Sequence, residues 1–453
     1  MFLIKILNSK GKIYYSVVFA IFLIGLLRLF MLNSMGNVDM EFWRAWMYKI
    51  EKGNIFNIYS INTHDLKFFK NLSIKIPLED DFFIFKGIDP NYFEANMYLR
   101  KFYPIVQPPI FYVDLYFVNA IKKIIDVNDY FLLNIVNIFW TLLLVYILYL
   151  ILKKTALENP FLKALILIWL NPIFILNPVA LGFRDIFASI FVIISIYFLI
   201  KNFYLFSGIC IALGLLTKPQ ILFTIFVLLI LIRKNKIINF LLGILLILCL
   251  LLVLYYQSGY LYGLIASLIM VSATTVWFPT SISIFTPLSF LQNHQNYLIT
   301  NDYTKLLRLI DFLSYHIQLF SIFGILFLCC VVIYLRLNYP LDNLNLYSIE
   351  VFYMSLFVYV LRPNSQPNHY FVLSIFWILS LAKYDKYFWS KLLIILCFVI
   401  QDLGYNGFGR NSFFVGLGSQ DYINLIFLLS VFVSLIMVQI AYIYFKNKDY
   451  IRI

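Results

Sequence analysis

The feature that leaves this chain the fewest choices is its series of apolar runs of membrane-span character, most of them closed by a short polar link. A membrane span needs roughly 17–25 apolar residues, and fewer if the segment is a half-helix or re-entrant. Runs of this kind fall at 13–32, 130–152, 161–178, 186–200, 203–217, 219–232, 237–256, 311–335, 347–361, 369–382, 389–402 and 421–445. In hydrocarbon every backbone amide must find its partner inside the protein, and a helix supplies that partner within one segment. Composition agrees, since 62% of the 453 residues are hydrophobic and 13% are charged, against roughly 25% charged in a soluble domain. The expected fold is therefore an all-α polytopic membrane protein, a single integral-membrane domain over 1–453, with about 12 transmembrane helices (11–13). The 203–217 and 219–232 pair is short enough to form a hairpin that does not fully cross.

Net charge is +13. In a soluble protein this would suggest nucleic acid, but no basic domain lies outside the apolar runs, so no nucleic-acid partner is expected. Lys and Arg instead mark cytoplasmic loops. With the N-terminus inside and the spans alternating, the inner links collect seventeen cations, among them Lys153, Lys154, Lys201, Arg233, Lys234 and Lys236. The short outer links hold four, namely Arg184, Lys218, Arg362 and Arg410. Both termini are then cytoplasmic, and the first apolar run reads as an uncleaved signal anchor. A bacterial inner (plasma) membrane is the expected setting, with an endoplasmic reticulum membrane as the other.

This alternation leaves two long exofacial segments, 33–129 and 257–310. Both mix Phe, Tyr and Trp with charge, which suits amphipathic helices at a membrane surface. Segments of that length are uncommon as passive connections, and a substrate-binding cap is the expected use. Within the first, 108–121 is apolar enough to be taken for a span. Crossing there would move Lys153 and Lys154 outside, so an interfacial or re-entrant helix opened by Pro108 and Pro109 is preferred.

Asp39 is the first candidate for chemistry. It follows the first span, ahead of an aromatic helix carrying Glu41, Trp43 and Trp46 that is expected to lie at the interface. A carboxylate at the rim can take the proton of an attacking hydroxyl. The same residue could simply cap the helix that follows it. The outer cations are the second candidates, because ionisable groups at membrane depth are costly and mark function by default. A phosphate would match them, Arg in bidentate fashion and Lys as a point charge. The alternative is that each pairs with a local acid, such as Arg184 with Asp185, or reaches lipid headgroups. His369 and Tyr370, at the entrance of a late span, could meet phosphate or sugar hydroxyls.

Other chemistries find little footing. The five cysteines all lie in apolar runs, where they read as small core residues. No HExxH, CxxC, Walker loop, GxGxxG or GxSxG occurs. No cofactor is required, although a divalent cation held with waters by Asp39, Asp185 or Asp302 stays open. With no cytoplasmic nucleotide site, any sugar would arrive on a lipid. Asp311, His316, Glu350 and Asp402 could alternatively form a proton relay.

The order of several short motifs resembles the GT-C superfamily of integral-membrane glycosyltransferases, which use polyprenyl-phosphate sugars. Asp39 after the first span is similar to the family's catalytic Asp. Trp46 through Gly53-Asn-Ile-Phe-Asn-Ile-Tyr59 resembles its aromatic helix, Gly turn and Tyr. Tyr103-Pro-Ile-Val-Gln-Pro-Pro109 resembles its Tyr-Pro-Pro approach to the next membrane segment, here interrupted. Leu181-Gly-Phe-Arg-Asp185 stands where many members carry a Gly-Gln-x-Asp-like turn, with Phe183-Arg184 in place of the Gln. Lys218-Pro-Gln220 is similar to a Lys-Pro-Gln common in the superfamily, and Arg362 to Tyr370 to its late His/Arg/Tyr outer loop.

What the resemblance implies is inverting transfer at the outer face. Asp39 would deprotonate a hydroxyl of a glycan, lipid or protein acceptor, whose oxygen attacks the anomeric carbon as polyprenyl phosphate leaves. Arg184, Lys218, Arg362, His369 and Arg410 would hold the donor phosphate. Glu41, Trp43, Tyr103, Gln107, Asp185, Gln220 and Tyr370 would line the substrate site. A transporter, flippase or polymerase of lipid-linked saccharides is the competing class, and it gives Asp39 no special task.

Overall fold

Almost unbroken runs of Leu, Ile, Val and Phe leave each segment no polar partner for its backbone but its own, and the described chain is accordingly helical. A computed structural model describes residues 12–34, 39–52, 108–125, 127–154, 159–180, 182–218, 221–232 and 234–259, with isolated positions at 55, 261, 264, 323, 326, 327 and 330. The helices are α1 (Lys12–Phe30), α2 (Asp39–Lys52), α3 (Pro109–Lys122), α4 (Asp129–Leu152), α5 (Pro160–Trp169), α6 (Pro172–Ile175), α7 (Asp185–Ile200), α8 (Tyr204–Leu215), α9 (Ile221–Leu231) and α10 (Ile237–Gln257). A 3₁₀ turn, Met31–Asn33, extends α1, and a π turn, Leu176–Ala180, extends α6.

Among the described residues three stretches are long and apolar enough to cross a membrane: Ser16–Asn33, α4 and α10. A fourth is added if α5 and α6 with its π turn count as one broken span. Much of this apolar surface faces outward. On α10 only Phe240, Gly243 and Tyr255 are buried, and on α1 Phe19, Phe22, Leu29 and Phe30 are exposed. Apolar surface of that extent on helices of that length is suited to contact with membrane lipid. The expected spans 311–335, 347–361, 369–382, 389–402 and 421–445 lie outside the described residues, apart from isolated positions in the first of them.

The break in the 161–178 run corrects the expectation of one continuous span. The chain bends by 66° between α5 and the α6 segment. Asn171 caps α6 by accepting from Ile173 N at 3.1 Å, and Pro172 takes the first helical position. A proline there cannot continue α5, because it lacks the N–H and clashes with the preceding turn. The carbonyls freed at the bend are taken by a cation from another helix. Arg28, fully buried on α1, donates to Trp169 O at 3.0 Å and Phe174 O at 2.9 Å, and its guanidinium lies 4.3 Å from the centre of the Trp169 ring.

α8 and α10 cross closely through Gly208 and Gly243. A Cβ at Gly208 would run into the Phe240 carbonyl oxygen, and one at Gly243 into the Leu205 carbonyl oxygen. Small residues are what allow two backbones to approach in this way inside a membrane. Ser195 on α7 meets Ser207 on α8 through their hydroxyls at 2.8 Å. With 12 and 11 residues, α8 and α9 are each about 16–18 Å long, well short of a hydrocarbon core of about 30 Å.

α3 is 14 residues long, about 21 Å, and is also too short to cross. It runs antiparallel beside the first half of α4. Phe117 stacks on Trp140 at 5.6 Å, and Lys122 pairs with Asp129 at 2.7 Å. α2 packs on its other side, where Asn119 donates to Met47 O at 2.6 Å. Trp43 and Trp46, on the helix expected at the interface, are turned into the protein. They are buried against Phe111 and Tyr112 of α3, with Trp43 to Phe111 at 4.7 Å and Trp46 to Tyr112 at 5.0 Å. α3 offers α2 an aromatic face, and two indoles bury a large apolar area against it.

Candidate functional site

The links 31–34, 176–185 and 214–218 converge at one end of the bundle, and buried amide side chains hold them together. Asn134 donates to Leu32 O at 3.0 Å and Ser34 O at 3.1 Å, and Ser34 Oγ donates to Ala180 O at 3.0 Å. Asn137 donates to Pro178 O at 2.5 Å and Phe183 O at 3.3 Å, so one carboxamide clamps both arms of the turn before α7. Phe183 N closes that turn on Asn177 O at 3.0 Å. The N-terminus of α3 joins in, with Ile110 N donating to Leu216 O at 2.9 Å.

Gly182 opens the turn at φ +71°, in the left-handed region that favours glycine. A side chain there would overlap the Met40 thioether, which fills the space above the glycine. This contact brings the start of α2, where Asp39 is the first residue, against the Gly182–Asp185 turn. The side chains of Asp39 and Glu41 lie outside the described residues.

Next in the turn is Arg184, all but fully buried. Its Nε donates to Asp114 Oδ2 at 2.6 Å, and Nη2 pairs with the same carboxylate. Its Nη1 donates to Leu133 O at 2.9 Å and to Asn137 Oδ1 at 2.8 Å. The other oxygen of Asp114 accepts from Trp140 Nε1 at 2.9 Å. Asp185, at the positive end of the α7 dipole, pairs through Oδ1 with Lys218 Nζ at the end of α8. Among the described residues its Oδ2 and the two polar atoms of the fully buried Asn177 on the π turn make no well-aligned hydrogen bond, although the two side chains are neighbours. Single π turns inside helices are frequent at functional sites.

Two charge pairs thus stand side by side, Asp114–Arg184 and Asp185–Lys218, on adjacent residues of one turn. Arg184 and Lys218 each pair with an acid, the alternative weighed for them from the sequence. Arg184 also takes its acid from α3 rather than from its neighbour Asp185, which belongs to Lys218. A charge this deep would be prohibitively costly without a counter-ion. The two cations differ in what they have left. Arg184 spends Nε and Nη1 on hydrogen bonds and holds Nη2 against Asp114 as an ion pair without one, whereas the Lys218 ammonium has three donors and spends one on Asp185.

Among the other expected site residues, Trp43 lies in the aromatic core between α2 and α3. Tyr103, Gln107, Gln220, Arg362, His369, Tyr370 and Arg410 lie outside the described residues, as does Asp302. Among the described residues no three His, Cys, Asp or Glu side chains gather as a metal-ligand set. Sequence reasoning overlooked Asp114, Asn137, Asn177 and Arg28. The signal for the charged two was available, since a lone Asp inside PPIFYVDLYFVNAI and a lone Arg inside the first span each demand a partner. No protein-family model matches the chain, and no curated protein matches it.

Proposed function

We propose that this chain is a multi-pass membrane glycosyltransferase of GT-C type. It moves a sugar from a polyprenyl-phosphate donor to a hydroxyl of a glycan, lipid or protein acceptor at the outer face of a bacterial inner membrane, with both termini cytoplasmic. The observation that carries the reading is the contact of Met40, the residue after Asp39, with Gly182, which opens the turn carrying Arg184 and Asp185. The motif order from Asp39 to Tyr370 supports it further.

Asp39 is the general base. It takes the acceptor proton as the acceptor oxygen attacks the anomeric carbon from the side opposite the phosphate, giving inversion. The C1–O bond to the phosphate breaks, and polyprenyl phosphate departs as an anion. Such a leaving group needs no separate acid, so catalysis rests on positioning and on charge at the phosphate. Lys218 meets the phosphate with the donors that Asp185 leaves free. Arg362, His369 and Arg410 complete that shell. Arg184, committed to Asp114 and Asn137, fixes the turn that carries Asp185. Glu41, Tyr103, Gln107, Gln220 and Tyr370 face the substrates, with Trp43 packed behind them.

The buried charge pairs also suit a carrier of lipid-linked saccharide, since intramembrane ion pairs mark transport paths as well. Purified protein supplied with polyprenyl-phosphate sugars and a hydroxyl acceptor separates the two. The proposal requires a new glycoside of inverted anomeric configuration, read by NMR. Donor that crosses liposomes unconsumed, with no glycoside formed, overturns it in favour of the carrier.

A further inference from the structure

At the end of the bundle opposite the Gly182 turn, α4 and α7 each finish on lysine. Lys153 is the C-cap of α4, with Lys154 after it, and Lys201 is the C-cap of α7. All three are exposed. Asn202, in the left-handed conformation at φ 62°, turns the chain tightly after Lys201, and Phe203 N closes the turn on Phe198 O at 2.9 Å. The outcome is a convergence. The ammonium groups of Lys154 and Lys201 lie 6.0 and 5.8 Å from the centre of one ring, that of Tyr197, while Lys153 lies 6.0 Å from the Tyr149 ring. Among the described residues neither Lys154 nor Lys201 is paired with a carboxylate. Partial desolvation, and then the hydrogen-bond contact and charge of Lys201, hold Lys154 below the ordinary lysine value.

Two like charges drawn onto one ring repel each other, and each gives up side-chain freedom to stay there. A cation–π contact recovers only about 0.5–1 kcal/mol at an exposed site. A phosphodiester between them would turn the repulsion into two charge-assisted hydrogen bonds. The surroundings select where that phosphate comes from. Tyr146, Phe161, Phe203 and Phe206 are exposed around the lysines, so acyl chains can lie along the helices while a headgroup reaches the ammonium groups.

We infer that Lys154 and Lys201, over the Tyr197 ring, form a binding site for the headgroup of an anionic phospholipid at the end of α4 and α7. The site rests on the chain being embedded in a membrane and not on glycosyl transfer. It locks the α4 and α7 ends together across two helices that have no other ionic tie there among the described residues.

The test is native mass spectrometry of the delipidated full-length protein in neutral detergent, titrated with phosphatidylglycerol, with phosphatidylcholine or with inorganic phosphate. One saturable phosphatidylglycerol is expected, with phosphatidylcholine binding far more weakly. Each charge near an anionic headgroup is worth roughly a fivefold change in affinity, so Lys154→Gln/Lys201→Gln is expected to weaken that binding on the order of thirtyfold at low salt. Lys236→Gln, a cation elsewhere on the same side, leaves it unchanged, and so does Asp39→Asn. Equal binding of the two lipids overturns the site, and so does a double variant that binds phosphatidylglycerol as the wild type does. Saturation by inorganic phosphate at the same concentrations would show an anion site that does not need a lipid, and would overturn the lipid assignment.

Discussion

Removing Arg184 should cost far more than a surface charge would, and removing its partner as well should restore much of the loss. The Arg184–Asp114 side chains are 1% and 0% exposed. Arg184→Met leaves Asp114 as a buried carboxylate whose one remaining described partner is Trp140 Nε1 at 2.9 Å. It also deprives Leu133 O and Asn137 Oδ1 of their donor. Breaking a buried pair from one side typically costs about 3–5 kcal/mol, a large part of the roughly 5–15 kcal/mol that holds a folded protein together. Asp114→Asn should cost a comparable amount, because it strands the guanidinium. In Asp114→Asn/Arg184→Met neither charge remains, and a coupling energy of at least about 2 kcal/mol is expected. Reversible unfolding in mixed detergent micelles, followed by Trp fluorescence, measures all three variants. A cost below about 1 kcal/mol for Arg184→Met, or strict additivity in the double variant, would refute a mutually dependent buried pair. The double variant also decides the task of Arg184. Donor affinity close to wild type assigns it to positioning, whereas a loss of tenfold or more makes it a phosphate ligand.

Three further variants probe other contacts of the bundle. In Lys218→Ala/Asp185→Asn both charges are lost and no carboxylate is stranded; donor binding should weaken by about tenfold or more, the worth of one charge-assisted contact, with the acceptor KM little changed. Gly208→Ala should destabilise by about 1–3 kcal/mol, because the new Cβ forces α8 away from the Phe240 carbonyl, and the gain in helix propensity does not cover that overpacking; a more stable variant would show the crossing to be looser than described. Arg28→Leu should cost about 2–4 kcal/mol by stranding the Trp169 and Phe174 carbonyls at the bend, with Arg28→Lys recovering part of it in the same unfolding assay.

The helices were legible because hydropathy alone dictates them. The apolar runs at 130–152, 186–200 and 237–256 agree with α4, α7 and α10 to within a residue or so. The bend in 161–178 had its own signal, two Asn-Pro pairs at Asn171-Pro172 and Asn177-Pro178, and a proline biases the residue before it away from helix. The pairing of charges was less legible. Asp114 and Arg184 are separated by 70 positions, and nothing in local spacing tells an acid on a short helix which of several distant cations it will meet. Arg184 and Asp185 looked like partners because they are neighbours in sequence, yet successive residues at a helix start point to different sides. The burial of the two α2 tryptophans was hidden for a related reason. Indoles suit both a headgroup belt and a protein core, and the aromatic face of α3 that covers them lies far along the chain.

The role proposed for Asp39 is to take the proton of the acceptor hydroxyl. The most direct measurement is single-turnover transfer from a radiolabelled polyprenyl-phosphate sugar by purified Asp39→Asn, with donor binding and unfolding measured on the same preparation. The account predicts a loss of at least about a hundredfold in the transfer rate, as expected when a general base is removed, with folding and donor affinity retained. Transfer at the wild-type rate by that variant would contradict it.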